Sequence, residues 1–393
     1  MAAHSLAVWL ASRGHMVHVL TSAHHREFIG TRLISDNLTV ERHFFPSLYQ
    51  IYRAELQNIV MKTAWHAHDH FHLASERIVA EVIARVQPGL VNTHSLQGIG
   101  YNLLRAVARS GVPCVQTLHD FGFLCVNVNR FKDGKECDRH HLPCQLSTRI
   151  KRSYLEKIER LSMWSPSQAL LDFYQPHLPV NANTAAIPLP LIFGPPKEPA
   201  RIRPNSTRFL YVGQVTPWKG VAFLLEVISQ LPSHFSFEME VVGGGSDLAL
   251  LEEKYQGHPR IFFRGKLPPE NVGAHMAAAD VLLTPSLWFE NAPLVISQAI
   301  QLGLPVFASR IGGLPELVED NVNGRLLTPG DPGAWTHALM AVLQQPSLLV
   351  AWKNGAAQMR NRFSTDNLGE QVVELFQKTI GVRTKSEFAT AVC

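Results

Sequence analysis

The sequence predicts an α/β protein made of two doubly wound parallel sheets. Strand-like and helix-like patterns alternate almost throughout, prolines crowd one internal stretch, and a second α/β series begins after it. A chain of 393 residues suits two domains of ordinary size. Apolar residues make up 46% and charged residues 17%, which excludes a disordered chain, a collagen-like or mucin-like chain and a coiled coil. No apolar run reaches the ~18 residues that a membrane-spanning helix needs.

The first element reads as a helix, Ala2–Arg13. Its short apolar centre resembles that of a signal peptide, but a basic start is missing and Gly14 leads directly into strand-like Val17–Leu20. Further strand-like runs lie at Leu38–His43, Leu90–Thr93, Val112–Leu118 and Leu161–Trp164. One long helix is predicted from Tyr52 to Val86, closed by Pro88-Gly89, with a shorter helix after Gly98. Eight of the 25 prolines then fall between Pro176 and Pro204. Proline lacks the amide proton and disfavours helix at the preceding residue, so this stretch reads as a semi-rigid extended linker. The second series has strands at Phe209–Val212, Phe237–Val242, Ile261–Phe263, Val281–Leu283 and Pro305–Ala308. The domains are therefore predicted at 1–185 and 206–365, joined by a linker at 186–205. A helix and tail at 366–393 would cross back to the first domain. Two such domains leave one obvious place for a ligand, the cleft between them.

Charge and cysteine content narrow the partners. A net charge of +4 is too small for a nucleic-acid binder. Nine basic residues face five acids between Arg130 and Arg160, which accounts for the whole excess. Within that stretch Arg149–Leu155 suits either a solvated helix face or peripheral contact with an anionic membrane. Five cysteines without dense disulfide spacing fit a cytoplasmic protein. Cys125, Cys137 and Cys144, with His140 and His141, form a ligand-rich loop that lacks a Cys-x2-Cys pair. His66, His68, His70 and His72 stand at helical i,i+4 spacing and read as solvated or cleft-lining rather than zinc-binding.

The most informative segment runs from Pro285 to Ala299. A strand ends near Leu283, a loop carries Glu290 and Asn291, and a helix starts about Pro293, where proline suits the first turn. Such a helix N-terminus offers free amides and a positive dipole end to an anion such as a diphosphate. Glu290 can accept hydrogen bonds from sugar hydroxyls, or Glu290 and Asn291 can simply cap the helix. Upstream, Gly213-Gln214 follows a strand, and Lys219-Gly220 opens another helix, placing a movable point charge at the strand ends. The spacing is not that of a Walker loop. Gly243-Gly244-Gly245 is a tight turn, and Gly312-Gly313 allows close backbone approach to a ligand.

Taken together, these residues resemble the retaining glycosyltransferases of family 4, whose GT-B fold sets two Rossmann-like domains across a cleft. The likeness rests on Gly213…Lys219-Gly220, Arg264-Gly265, Pro285-Ser286…Glu290…Gln298-Ala299, Gly303-x-Pro305 and Gly312-Gly313-x-x-Glu316. It is strong over 209–330 and looser over Val91–Asp120, where Thr93-His94 and Thr117-Leu118-His119-Asp120 look like acceptor-side motifs. The resemblance implies roles residue by residue. Lys219 would hold the phosphates of a nucleotide diphosphate sugar, and Glu290 would lie against the transferred sugar. Amides of Asn291, Ala292, Pro293 and Leu294 (proline contributing its carbonyl alone) would border sugar and phosphate, beside Gly312 and Gly313. His119 would sit next to the transferred sugar, with His94 and Asp120 on the acceptor side. The implied chemistry calls on no cofactor and no metal, and no Asp-x-Asp motif is present.

Three departures stand out. Gln298 occupies the place of the family's second glutamate, and Gln214 that of an arginine in the phosphate loop. The family also opens with a strand and a Gly-rich loop ahead of the helix at Ala2–Arg13, so the N-terminal domain is expected to lack its first strand. Either the start is recorded too far downstream or the chain is a degraded relative. The expected activity is transfer of a hexose, with retention, to a saccharide or lipid-linked saccharide. The alternatives are a catalytically impaired sugar-nucleotide binder and a nucleotide-sugar epimerase on the same architecture.

Overall fold

Alternation of side chains along the strands sets the architecture. The structure, a computed structural model, describes residues 2–23, 25–49, 57–132, 135–137, 141–192 and 206–381. Outside these lie the predicted helix start at Tyr52, most of the Pro-rich linker, His140 and the tail beyond residue 381. The chain divides into two compact units, Met1–Pro188 with Leu368–Cys393, and Leu189–Asn367.

Unit 1 begins α1 (Ala2–Ser12), β1 (Val17–Ser22), β2 (Gly30–Ser35), β3 (Leu38–His43), α2 (Ile59–His70), α3 (Leu73–Val86) and β4 (Val91–Thr93). It continues α4 (Leu103–Ser110), β5 (Cys114–Thr117), β6 (Phe131–Lys132), β7 (Lys135–Glu136), α5 (Leu142–Leu155), β8 (Leu161–Ser165), α6 (Gln168–Tyr174) and β9 (Asn183–Ala186). The single helix predicted up to Val86 is two helices. Their break at Phe71-His72 is fixed by His72, whose ring accepts from the Ser75 amide at 3.0 Å and so caps α3. The strands do not form one sheet. β1, β3 and β2 make a three-stranded sheet with β1 at one edge, and β4, β5, β8 and β9 make a four-stranded sheet with β4 at one edge. β2, fully exposed, pairs antiparallel with β3, an addition that its Gly-Thr-Arg-Leu-Ile-Ser sequence did not signal.

Unit 2 contains β10 (Thr207–Val212), α7 (Val221–Ser229), β11 (Phe237–Val242), α8 (Leu248–Lys254), β12 (Ile261–Gly265), α9 (Pro269–Ala278) and β13 (Val281–Thr284). After these come α10 (Leu294–Leu302), β14 (Val306–Ser309), α11 (Leu314–Leu317), β15 (Gly324–Leu327), α12 (Pro332–Gln344) and α13 (Ser347–Met359). A last helix, α14, spans Thr365–Ile380 and from Leu368 onward belongs to unit 1. The six strands form one parallel sheet in the order β12-β11-β10-β13-β14-β15. Phe209, Met239, Leu283 and Phe307 pack into the core on one face, while Leu210, Val242, Leu282 and Val306 pack into the core on the other. This period of two with both faces apolar is what a doubly covered parallel sheet requires. The order reverses between β10 and β13, and ligands of such sheets bind outside the strands' C-terminal ends at that point.

Candidate active site

The loops after β10 and β13 flank the reversal point of unit 2 and are tied together. The Leu287 amide donates to the Trp218 carbonyl at 2.9 Å. Gly220, at φ 71°, packs against the Pro285 carbonyl so closely that a Cβ there would collide with it. This approach sets Lys219 against Glu290, with Nζ 2.5 Å from Oε1. The Ser286 hydroxyl donates to the same carboxylate oxygen at 2.6 Å. The Glu290 side chain is 12% exposed and that of Lys219 26%, so the pair is largely buried but reachable from solvent. Tyr211 closes the floor, donating to the Gln214 carbonyl at 2.6 Å. Its hydroxyl pKa is raised by burial and then by the Glu290 charge.

Behind Glu290 the loop after β14 supports the backbone. The Gly313 amide donates to the Glu290 carbonyl at 2.8 Å, and Gly312, at φ 56°, leaves no room for a Cβ beside that carbonyl. α10 starts at Leu294 with Pro293 in the capping position and no side-chain cap. Glu290 is therefore not the helix cap that its position also allowed; its carboxylate is taken by Lys219 and Ser286. The Ile296 amide already donates to the Pro293 carbonyl at 3.0 Å, which leaves the Leu294 and Val295 amides as the ones at the start of α10 that an anion could meet.

Other residues singled out for this site are spread more widely. Gln298 is half-buried one turn into α10, beside Gly273. Arg264 is held by Glu240, Nε to Oε1 at 2.5 Å, and His275 takes the other oxygen at 2.8 Å. Gly265, next to it, accepts from the Gly243 amide at 2.8 Å. Ser286 and Tyr211 went unassigned in the sequence, although Ser286 lies four residues before Glu290 inside the motif.

In unit 1, adjacent parallel strands β4 and β5 carry His94 and His119 just beyond their ends. Their rings stack with centroids 5.1 Å apart, and His94 Nδ1 lies 2.8 Å from His119 Nε2. Two ring nitrogens at that distance share one proton, so the pair acts as a unit. Desolvation pushes His94 down to about 3 and His119 to about 4, which keeps both neutral at pH 7. A cavity of about 120 Å³ opens beside them, bordered by Tyr101, Gln116 and Asp120. Asp120 folds back to accept from the Gly122 amide at 2.7 Å, and its carbonyl accepts from the Tyr174 hydroxyl at 2.8 Å. The Gly122 carbonyl accepts in turn from Lys151 Nζ at 2.6 Å and from the Tyr101 hydroxyl at 3.1 Å.

Lys151 corrects an expectation. It is buried, its ammonium lies 4.0 Å from the centre of the Tyr101 ring, and burial lowers its pKa to about 8. The basic run Arg149–Leu155 is thus not wholly a surface face. One of its cations holds the loop after His119. The histidine series is also placed by bonds within unit 1: His70 faces the Ser147 hydroxyl at 2.9 Å and His72 the Pro46 carbonyl at 2.6 Å. Among the described residues no group of three His, Cys, Asp or Glu is placed to hold a metal ion.

A doubly wound unit with a Lys–Glu pair at its reversal point, accompanied by a second α/β unit with paired histidines, defines the GT-B class of fold. Comparison with known families goes further. Residues 196–359 match the family model described as glycosyl transferases group 1, and residues 1–189 match the glycosyl transferase 4-like domain. The chain belongs to glycosyltransferase family 4. It is 28% identical over 193 residues to the D-inositol 3-phosphate glycosyltransferase of Corynebacterium efficiens, covering 47% of this chain and 43% of that protein. The chain thus matches about four tenths of the length of that curated relative. In fold it is similar to sucrose-phosphate synthase of Thermosynechococcus elongatus, with a TM-score of 0.73 at 20% identity, covering 96% of this chain and 92% of that one. The Anabaena protein HepE, solved with UDP-glucose, is similar at a TM-score of 0.63 and 17% identity over 92% of this chain and 99% of that one. Among the described residues no helix is long and apolar enough to cross a membrane.

Proposed function

We propose that the protein transfers a hexose from a nucleoside diphosphate sugar to a saccharide or lipid-linked saccharide acceptor, with retention of configuration. The observation that carries this reading is the Lys219–Glu290–Ser286 cluster at the reversal point of unit 2, beside the N-terminus of α10. An arriving diphosphate attracts the Lys219 ammonium away from Glu290. Ser286 keeps the freed carboxylate in place, and its oxygens then accept from hydroxyls of the sugar. As the bond to the diphosphate breaks, negative charge grows on the leaving group, and Lys219 with the α10 amides meets it as fixed donors. This compensation asks for no metal and no cofactor.

Retention fits displacement on one face of the sugar, assisted by the leaving phosphate, which needs no carboxylate nucleophile. The neutral His119, aligned by His94, offers a donor or acceptor nitrogen to the sugar or acceptor. Gln298, through a neutral amide, takes the ribose hydroxyls that a glutamate would hold more tightly. A UDP-sugar donor is supported by the UDP-glucose named for the Anabaena relative, and a phosphorylated acceptor by the name of the Corynebacterium protein. On α5, Leu142 and Leu146 are exposed next to Arg149, which supports peripheral contact with an anionic membrane on the cytoplasmic side. The deciding measurement is nucleoside diphosphate release from a panel of donors, with and without saccharide acceptors. Release that Lys219→Met and Glu290→Gln abolish supports transfer. Binding without release from any donor would leave a sugar-nucleotide binder, and interconversion of free donor an epimerase.

A further inference from the structure

Three cysteines of unit 1 border one small cavity. Cys125, Cys137 and Cys144 line a space of about 70 Å³ together with Arg130 and His141. Cys125 lies in the loop that follows His119, and Cys144 stands in the first turn of α5, a helix start without a side-chain cap. The two side chains bond to each other, Cys144 donating to Cys125. The backbone around Cys125 adds more donors, because its sulfur also accepts from the amides of Arg130, Asn127 and Asn129. These amides are turned inward by a chain that takes Val128 to φ 57° and Arg130 to φ 52°. A β-branched residue rarely occupies the left-handed region, and backbone of this kind gathers successive amides into an anion-binding nest. A neutral thiol is too weak an acceptor to hold such a turn, whereas a thiolate holds it. The Lys151 ammonium lies near enough to stabilise the same charge. The Cys144 thiol and the three amides thus keep Cys125 below the ordinary thiol range, while Cys144, as the donor, is raised above it. Cys114 makes the contrast: burial in β5 pushes its thiol up to about 12.

We propose that Cys125 and Cys144 form a peroxide-reactive thiol pair, with Cys125 as the attacking thiolate and Cys144 as the thiol that resolves it into a disulfide. The Cys125 thiolate attacks one oxygen of hydrogen peroxide, the O–O bond breaks, hydroxide leaves, and Cys125 becomes a sulfenic acid. The Cys144 sulfur then attacks the Cys125 sulfur. The S–O bond breaks, and the departing oxygen leaves as water with the Cys144 proton. Counting the proton that Cys125 had already given up, two thiols are oxidised to one disulfide and one peroxide is reduced to two waters. Size selects the oxidant. Both sulfurs are buried, and hydrogen peroxide is little larger than water, whose share of liquid volume is about 30 Å³, so it enters a cavity of 70 Å³ that a bulky disulfide does not. A disulfide sulfur carries no charge. Oxidation therefore takes the acceptor away from the amides of Asn127, Asn129 and Arg130 and loosens the loop that begins at His119.

The test uses the full chain and reads peptide masses and amide exchange, so its outcome does not depend on the sugar-transfer reading. After treatment with hydrogen peroxide, a peptide pair linking Cys125 to Cys144 is expected to form at least about tenfold faster than any oxidation of Cys114, and dithiothreitol should reverse it. Amide exchange over residues 126–130 should quicken in the oxidised form. Cys144→Ser keeps a hydroxyl in the donor's place but supplies no second sulfur. In that variant Cys125 should stop at the sulfenic acid, which dimedone captures. Linkage of Cys125 to Cys137 instead, oxidation of Cys125 no faster than that of Cys114, or no dimedone adduct in Cys144→Ser would each overturn the proposal. One zinc ion per chain in the purified protein, released as the thiols are titrated, would make these sulfurs metal ligands and sink the pair equally.

Discussion

The two units bury polarity in opposite ways. In unit 2 the buried polar side chains among the described residues are uncharged: Thr216, Thr284, Ser286, Ser297, Ser309 and Asn323. In unit 1 they include Glu41, Asp69, Glu76 and Lys151, with His18, His70 and His72. Unit 2 has one continuous sheet, and its Lys219–Glu290 pair sits only partly exposed at the strand ends. Unit 1 has a divided sheet, and buried ionisable groups hold its loops, as Lys151 holds Gly122. Continuous backbone pairing lets a unit confine charge to its working edge. Where pairing is interrupted, charge-assisted hydrogen bonds take over part of the positioning.

Acid should separate the units most. Burial or desolvation pushes His66 to about 4, His94 to about 3 and His119 to about 4. An unfolded histidine titrates near ~6.5, so from there down to ~4 the unfolded chain gains protons the native unit refuses, and stability falls as pH falls. Glu41 adds to this lower down. Burial opposes its ionisation, but hydrogen bonds from His43, Arg85 and His18 hold it at about 2, and their contribution is lost as pH drops below the unfolded value toward 2. Asp69, raised to about 7 by burial, works the other way, since the native form gains its proton first as pH falls, and offsets part of the loss. Hydrogen exchange followed from pH 7.5 to 4.5 should show unit 1 losing protection while unit 2 keeps it. Simultaneous loss would break the contrast.

Next in size is Lys219→Met. Removing a preorganised cation at the leaving group should cut transfer roughly 10²- to 10³-fold. Melting of unit 2 should change less than activity, because the Ser286 hydroxyl still donates to the Glu290 carboxylate once the ammonium is gone. A large loss of stability with activity retained would show the pair to be structural. Gly312→Val tests the backbone side of the same site. A side chain forced into φ 56° against the Glu290 carbonyl should cost about 1–3 kcal/mol and displace Glu290, lowering both melting temperature and donor affinity. An unchanged donor affinity would sever the loop from the site.

The smallest change is expected from His94→Phe, which keeps a ring against His119 but removes the 2.8 Å hydrogen bond. A net hydrogen bond of about 0.5–1.5 kcal/mol predicts turnover reduced about threefold to tenfold. The KM for donor should hold, because the residues proposed to hold the donor lie in unit 2. A raised donor KM with unchanged turnover would remove the pair from the chemistry.

Five of the six strands of unit 2 were legible to within two residues, since apolar strands and intervening helices leave a local signature, whereas the edge strand β15 (Gly324–Leu327) was not anticipated. Lys219 and Glu290 were legible for the same reason, each following a strand at a recognisable turn. Gly30–Ser35 was not, because an exposed antiparallel strand gains its identity from β3 rather than from its own pattern. Lys151 was hidden for a different reason: among Arg149 and Arg152 it reads as surface, and only the Gly122 carbonyl and the Tyr101 ring give it a place inside.

The sequence by itself determined the alternating α/β order, the glycine turns and the helix start after Glu290, because backbone propensity and side-chain periodicity act over a few residues. The tertiary structure decided which of these meet. Lys219 and Glu290 are 71 residues apart and bond only because the loops after β10 and β13 pack together. His94 and His119 pair because β4 lies beside β5.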